Sequence, residues 1–179
     1  MTREVLFDRF ADPGHFFKGA VILNRETNRD PFSLGARVER QMMSCGGVSR
    51  DGIFMHPAWL EGFVGDAFAT VKLALPDVPD IVFTGFVGKK DGSYLGDGMR
   101  FFVGITPEGS TEEQTIAEVS VAKHEWKPIE ADLSQWAGQN VTLRLIMDIG
   151  DDLDSSGDWG CWGDMKITRK EEHLKTTLK

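Results

Sequence analysis

The sequence predicts an all-β chain, an antiparallel β-sandwich of the jelly-roll kind, on three observations. Apolar and polar residues alternate with the strand period of two in one segment after another, helical periodicity is nearly absent, and short Gly-, Asp-, Ser- and Pro-bearing turns separate the segments. Regularly spaced strands without intervening helices favour antiparallel pairing in a sandwich or barrel over a parallel α/β sheet.

Taken in order, the candidate strands begin with Val5 to Phe10, Phe16 to Leu23, Leu34 to Arg40 and Ile53 to His56. Next, Val71, Leu73 and Leu75 alternate with Thr70 and Lys72, and Pro76 closes that strand because it cannot donate to a ladder. Ile81 to Val87 follows, then an inward row of Met99, Phe101, Val103 and Ile105 that ends before Pro107 and Gly109. Ile116 to Val121 and Trp126 to Ala131 precede the clearest case, in which Val141, Leu143, Leu145, Met147 and Ile149 face one side and Thr142, Arg144 and Asp148 the other. Met165 to Thr168 completes the set. The stretches Gly88 to Gly98 and Gly150 to Asp158 read as loops, and one helical turn is expected after Asp132 or Ser134, ended by Gly138. Residues 1–168 form one expected domain, and the charged remainder, 169–179, reads as a frayed helix or a linker.

Composition narrows the function. A 41% hydrophobic and 27% charged chain of 179 residues has the make-up of an ordinary folded domain. A net charge of -8 with no large Lys/Arg cluster excludes phosphate-backbone recognition, so no nucleic-acid partner is expected. No apolar run approaches the roughly 20 residues of a membrane helix, so no membrane insertion is expected, and the opening MTREVLFDRF lacks a signal peptide's apolar core. Cys45 and Cys161 stand in neither a metal-ligand nor a redox spacing; they are either separate buried thiols or a disulfide between neighbouring strands.

Five segments carry a resemblance: GIFMHP at Gly52 to Pro57, the strand ending in Leu75 and Pro76, GDGMRFFV at Gly96 to Val103, DLSQWAGQNVTLRL at Asp132 to Leu145, and DWGCWGDMKI at Asp158 to Ile167. In that order they resemble the NPCBM group of galactose-binding-like jelly rolls, carbohydrate-binding modules often appended to glycoside hydrolases, over about residues 50 to 168. The resemblance implies a five-on-three or similar sandwich, sugar binding in loops at one end, often a structural calcium ion, a catalytic domain in the same parent protein, and an extracellular or periplasmic setting.

A sugar presents an apolar C–H face and a rim of hydroxyls, so its site needs an aromatic plate beside directional polar groups. DWGCWGD offers Asp158, Trp159, Trp162 and Asp164 together, although strand parity sends the two tryptophans to opposite sides, so that one belongs to the core. Trp59, with His56 and Glu61 around it in HPAWLEG, is the second plate. His56 either bonds a sugar hydroxyl or ties its own loop; Tyr94 is a rim contact or a solvent-facing loop residue; Arg100 and Arg144 sit on outward rows. Asp152, Asp154, Ser156 and Asp158 reproduce the opening of a calcium loop, but Gly163 stands where the bidentate Glu should be, which leaves a jelly-roll calcium site or a solvated acidic turn. Asp91 and Asp97 are further candidate ligands or turn formers. No nucleophile elbow, zinc-protease helix or phosphate loop is present, so the expected function is carbohydrate binding without catalysis, with a jelly-roll glycoside hydrolase or lyase, or a protein-interaction sandwich, as alternatives.

Overall fold

The computed structural model describes residues 3–7 and 16–170. Eleven strands lie among them: β1 (Arg3–Phe7), β2 (Phe17–Ile22), β3 (Arg37–Cys45), β4 (Val48–His56), β5 (Gly65–Ala74), β6 (Ile81–Lys89), β7 (Met99–Pro107), β8 (Gln114–Val121), β9 (Trp126–Asp132), β10 (Asn140–Asp148) and β11 (Gly160–Lys170). They form two antiparallel sheets. The first runs β3-β4-β11-β6-β9, with β1 also on β11; the second runs β2-β5-β10-β7-β8. Strands β4 and β1 take successive stretches of β11, Gly160–Gly163 and Ile167–Lys170. The architecture is therefore a jelly-roll sandwich of six strands on five, the antiparallel sandwich expected, with more strands than a five-on-three arrangement.

The inward rows read from the sequence meet between the sheets. Leu143, Leu145 and Met147 of β10 pair with Val71, Ala69 and Ala67 of β5 on one side and with Ile105, Val103 and Phe101 of β7 on the other. All are buried in one core with Ile53, Phe83, Ile129 and Trp162 of the opposite sheet. The small alanines leave room for the long side chains beside them, which is how a pleated interior fills without voids. The expected helical turn is present as a 3-10 turn at Ser134–Trp136, its Ser134 N–H donating to Asp132 Oδ1 at 2.8 Å, with Gly138 at φ 75° after it.

Several boundaries differ from the sequence reading. Pro31–Leu34 is a 3-10 turn, capped by Asp30, whose Oδ1 accepts from Phe32 N at 3.2 Å, and the strand starts only at Arg37 after Gly35 at φ 94°. Gly46 and Gly47, at φ 61° and 80°, make the two-residue turn of a β3–β4 hairpin, and the polar stretch 48–52 belongs to β4. Alternation failed to mark that half of β4 because neither of its faces lies over the sandwich core. Strand β11 begins at Gly160, five residues before the expected Met165, and passes a bulge between Gly163 and Lys166 where Asp164 takes φ 50°. It runs to Lys170, past the expected boundary at 168; residues 8–10 of the first predicted strand and 171–179 of the predicted tail lie outside the described residues. Among the described residues no helix is long and apolar enough to cross a membrane.

Candidate ligand-binding site

In the first sheet, Val38, Ile53, Phe83, Val87, Ile129 and Trp162 point into the core, so the alternate residues point outward. That outer face is rich in rings: Phe54 on β4, Phe86 on β6 and Trp126 on β9, joined by Trp159 just before β11. Half of it is covered. Asp91 accepts from Gly46 N (2.8 Å), Gly47 N (2.9 Å) and Ser44 Oγ (2.8 Å), drawing the β3–β4 hairpin tip over the face. These donors, the Gly47 N–H foremost, hold the Asp91 carboxyl below the usual carboxylate range. Beneath the hairpin, Met43, Cys45, Phe54 and Cys161 form a small second core edged by Trp126 and Trp159. Cys45 and Cys161 are free, buried thiols in contact, and burial first, then the Cys45 thiol, raises the Cys161 pKa. Arg50 lies 3.6 Å from the Phe86 ring centroid and 5.8 Å from that of Trp126, and its Nη1 donates to Asp164 at 2.6 Å; Trp126 Nε1 donates to the Val48 carbonyl at 2.7 Å.

The other half is open. A cleft of about 420 Å³ is lined by Arg37, Gln41, Phe54, His56, Trp59, Lys90 and Trp159, a volume suited to a small ligand. Trp59 is held there by its N–H to the Leu34 carbonyl (3.0 Å) and by the bare Cα of Gly35, where a Cβ would lie 2.5 Å from the indole Nε1. It is 55% exposed, and its ring meets that of His56 edge-on at 6.4 Å and 72°. Trp159 is tied in by its carbonyl, which accepts from Lys90 N at 2.9 Å. The Lys90 ammonium sits 5.2 Å from the Trp159 ring centroid and 5.9 Å from that of Phe54. Arg37 lies 5.3 Å from Phe54 and is forked onto Glu39 by bonds of 3.1 and 2.7 Å.

Burial, and secondarily the Arg37 charge, hold the His56 imidazole below its usual pKa, so at neutral pH the ring is uncharged. Its Nδ1 lies 2.7 Å from the Pro57 carbonyl, which can only accept. The proton therefore resides on Nδ1, and Nε2 is left as an acceptor for a ligand hydroxyl. With two indole plates, a phenyl floor and donors on Arg37, Gln41 and Lys90, the cleft has the parts that stacking and hydroxyl recognition require.

Of the sequence-derived candidates, the structure brings His56, Trp59 and Trp159 together here. Trp162 is 0% exposed and packs edge-on against Phe101 (5.5 Å) and Phe83 (6.4 Å), so it is the core tryptophan of the pair that strand parity anticipated. Glu61, at φ 56°, is paired with Arg29 outside the cleft, and Asp164 is paired with Arg50 on the covered half. Tyr94 is 93% exposed and lines no part of the cleft. Arg100 and Arg144 lie on the second sheet, paired with Asp148 and with Glu113. Sequence reasoning missed Arg37, Gln41, Phe54 and Lys90. The last follows a hydrophobic strand directly, and its neighbour Asp91 is the anchor of the hairpin; only the antiparallel pairing of β6 with β11, Lys89 opposite Gly160, places Lys90 beside Trp159.

The calcium-loop residues are arranged differently from a ligand cage. Asp154 Oδ1 accepts from Ser156 N (2.9 Å), an internal turn, and Asp152 and Ser156 are exposed. Asp152 is bonded to Asp97, and that contact raises its pKa. Asp158 is turned inward, 0% exposed, with neither carboxylate oxygen hydrogen-bonded among the described residues. Burial, then the charges of Asp97 and Asp154, push its pKa up to about 8. Among the described residues no three His, Cys, Asp or Glu side chains converge as a metal-ligand set.

No protein-family model matches the sequence. Over 77 residues the chain is 39% identical to an uncharacterized protein of Archaeoglobus fulgidus; the match takes in 40% of this chain and 19% of that protein, so the chain spans only a fraction of the curated relative's length. Among solved structures, the apo form of a cyclase from Fischerella sp. superposes with a TM-score of 0.52 at 15% identity, over 94% of this chain and 87% of that one. The CBM22-1–GH10 modules of Clostridium thermocellum xylanase 10B, complexed with xylohexaose, give 0.51 at 14% identity over 94% of this chain and 28% of that one. The family 11 carbohydrate-binding module of C. thermocellum, in complex with a β-1,3-1,4-mixed-linked tetrasaccharide, gives 0.51 at 12% identity over 97% and 99%. At these identities the likeness is one of fold, and the fold it identifies is the β-sandwich that carbohydrate-binding modules share with at least one enzyme.

Proposed function

We propose that this chain is a non-catalytic carbohydrate-binding module whose ligand stacks in the cleft between Trp59 and Trp159. The observation that carries the reading is the pairing of these two indoles, one on a post-β4 loop and one entering β11, around a cleft with His56 Nε2 as acceptor and Arg37, Gln41 and Lys90 as donors. The sandwich likeness to sugar-binding modules supports it. Small polar ligands gain little from apolar burial, so affinity per site is modest, and attachment to a glycan-degrading domain outside the cytoplasm supplies the avidity. Affinity electrophoresis over a panel of polysaccharides tests this: retardation by one glycan class, lost in Trp59→Ala and Trp159→Ala, is the expected result, and retardation by none defeats the proposal.

Calcium belongs to the same reading as a structural ion that would satisfy the Asp158 carboxylate. Added calcium then raises the wild-type Tm and leaves Asp158→Asn unmoved; equal responses remove the ion from the account.

One observation favours an enzyme as the second reading. Asp66, at the start of β5, has its pKa pushed up to about 6, by burial first and then by the neighbouring Asp148 charge, a value suited to proton transfer, and a cyclase shares the fold. New reducing ends or rearranged products on incubation with glycans or small cyclisable substrates would favour it, provided that Asp66→Asn abolished them.

A further inference from the structure

The outer face of the first sheet carries the same cation-on-ring arrangement twice, and in one copy no anion pairs with the cation among the described residues. Arg50 lies over Phe86 and Trp126 and is neutralised by Asp164 at 2.6 Å. Lys90 lies over Trp159 and Phe54 and has no carboxylate within ion-pair reach among the described residues. The other cation over Phe54, Arg37, is already satisfied by Glu39. None of the seven residues lining the cleft is acidic, in a chain with 28 Asp and Glu against 20 Lys and Arg. Among the described residues other lysines also have no ion pair, and the buried Lys89 spends its ammonium on the Leu95 carbonyl, but Lys90 is half-buried, set between two ring faces and inside the cleft, where its charge is partly shielded from water.

Resting on the carbohydrate-binding reading, we infer that the ligand is an anionic saccharide whose single charged substituent seats on Lys90 while its ring stacks on Trp159. An ammonium is a compact point charge, so it accepts a carboxylate or a sulfate ester alike, and either would complete the ion pair that Asp164 completes for Arg50. A neutral sugar could use the same plates but would leave the ammonium without its counter-charge.

The test uses matched ligands and the full chain. Calorimetric titration compares oligogalacturonate with its methyl ester, and a sulfated galactan oligomer with its desulfated form, against wild type, Lys90→Met and Lys90→Arg. The expected result is that removing the ligand's charge weakens binding at least about tenfold, that Lys90→Met does the same to the charged ligand only, and that Lys90→Arg retains it. Whichever pair shows the difference identifies the anion. Charged and neutral oligomers that bind wild type with equal affinity, the charged ones unaffected by Lys90→Met, overturn this inference and leave the carbohydrate reading standing. Absence of binding to every glycan by a protein that melts cooperatively overturns both.

Discussion

The covered and open halves of the first sheet's outer face are built from the same materials and do different work. Under the β3–β4 hairpin, Trp126 spends its N–H on the Val48 carbonyl and Arg50 spends its charge on Asp164. Across the open cleft, Trp59 remains more than half exposed, His56 keeps a free acceptor nitrogen and Lys90 keeps its charge. The difference teaches that an aromatic–cation surface becomes a structural seal when its polar ends are satisfied internally, and an open cleft when they are not. What sorts the two is the reach of a single hairpin, pinned by Asp91.

The largest expected effect falls on the covered half. Trp126→Ala should cost roughly 2–4 kcal/mol of stability by opening the second core and removing the indole N–H bond that holds the Val48 carbonyl, read as a lower denaturation midpoint with glycan affinity little changed. Should Trp126→Ala abolish binding without loss of stability, the division between the halves is wrong. Loss of the hairpin anchor comes next. Asp91→Ala removes three hydrogen bonds to a charged acceptor and should cost about 1–3 kcal/mol, and because the carboxyl is held low, the difference from wild type should vanish in acid as the wild-type group is protonated.

The open half predicts the reverse pattern. Trp59→Ala should change stability by less than about 1 kcal/mol while weakening glycan binding about tenfold or more, since over half of this indole already faces solvent. A binding loss that tracks a stability loss would erase the distinction.

Titration sharpens the comparison further. Asp158, buried next to Trp159 in the chain, has its folded pKa raised to about 8, so the native state holds a proton that the unfolded chain gives up near 4. Stability from this group is therefore complete in acid and is lost as pH rises toward 8, and Asp158→Asn should flatten that decline in calcium-free buffer. His56 has the opposite sign: held neutral by burial, it contributes stability above its unfolded pKa of about 6.5 and loses it as pH falls through its lower folded value. That is the smallest of the expected effects, and His56→Gln should remove it.

Much of the sandwich was legible from single residues. The rows Met99 to Ile105 and Val141 to Met147 became central strands in the register that their alternation demanded, because both faced a core along their whole length. β4 was only half legible: Ile53 and Met55 reach the core, whereas Val48 to Asp51 ride in the overhanging hairpin, where no face is consistently apolar. Of the cleft, His56, Trp59 and Trp159 were visible as an aromatic and polar composition within turns. Phe54 looked like any strand residue, and Lys90 like any charge after a strand.

Period-two alternation, turn chemistry and parity within DWGCWGD are local properties, so the sequence by itself determined an antiparallel sandwich and required that only one of Trp159 and Trp162 be interior. Which of the two is solvent-side, whether an outward ring is sealed or open, and which charge is left without a partner were decided only by tertiary structure. Those outcomes depend on which strand crosses beside which and on how far the Gly46–Gly47 hairpin extends over the sheet, contacts between residues tens of positions apart that no local pattern encodes.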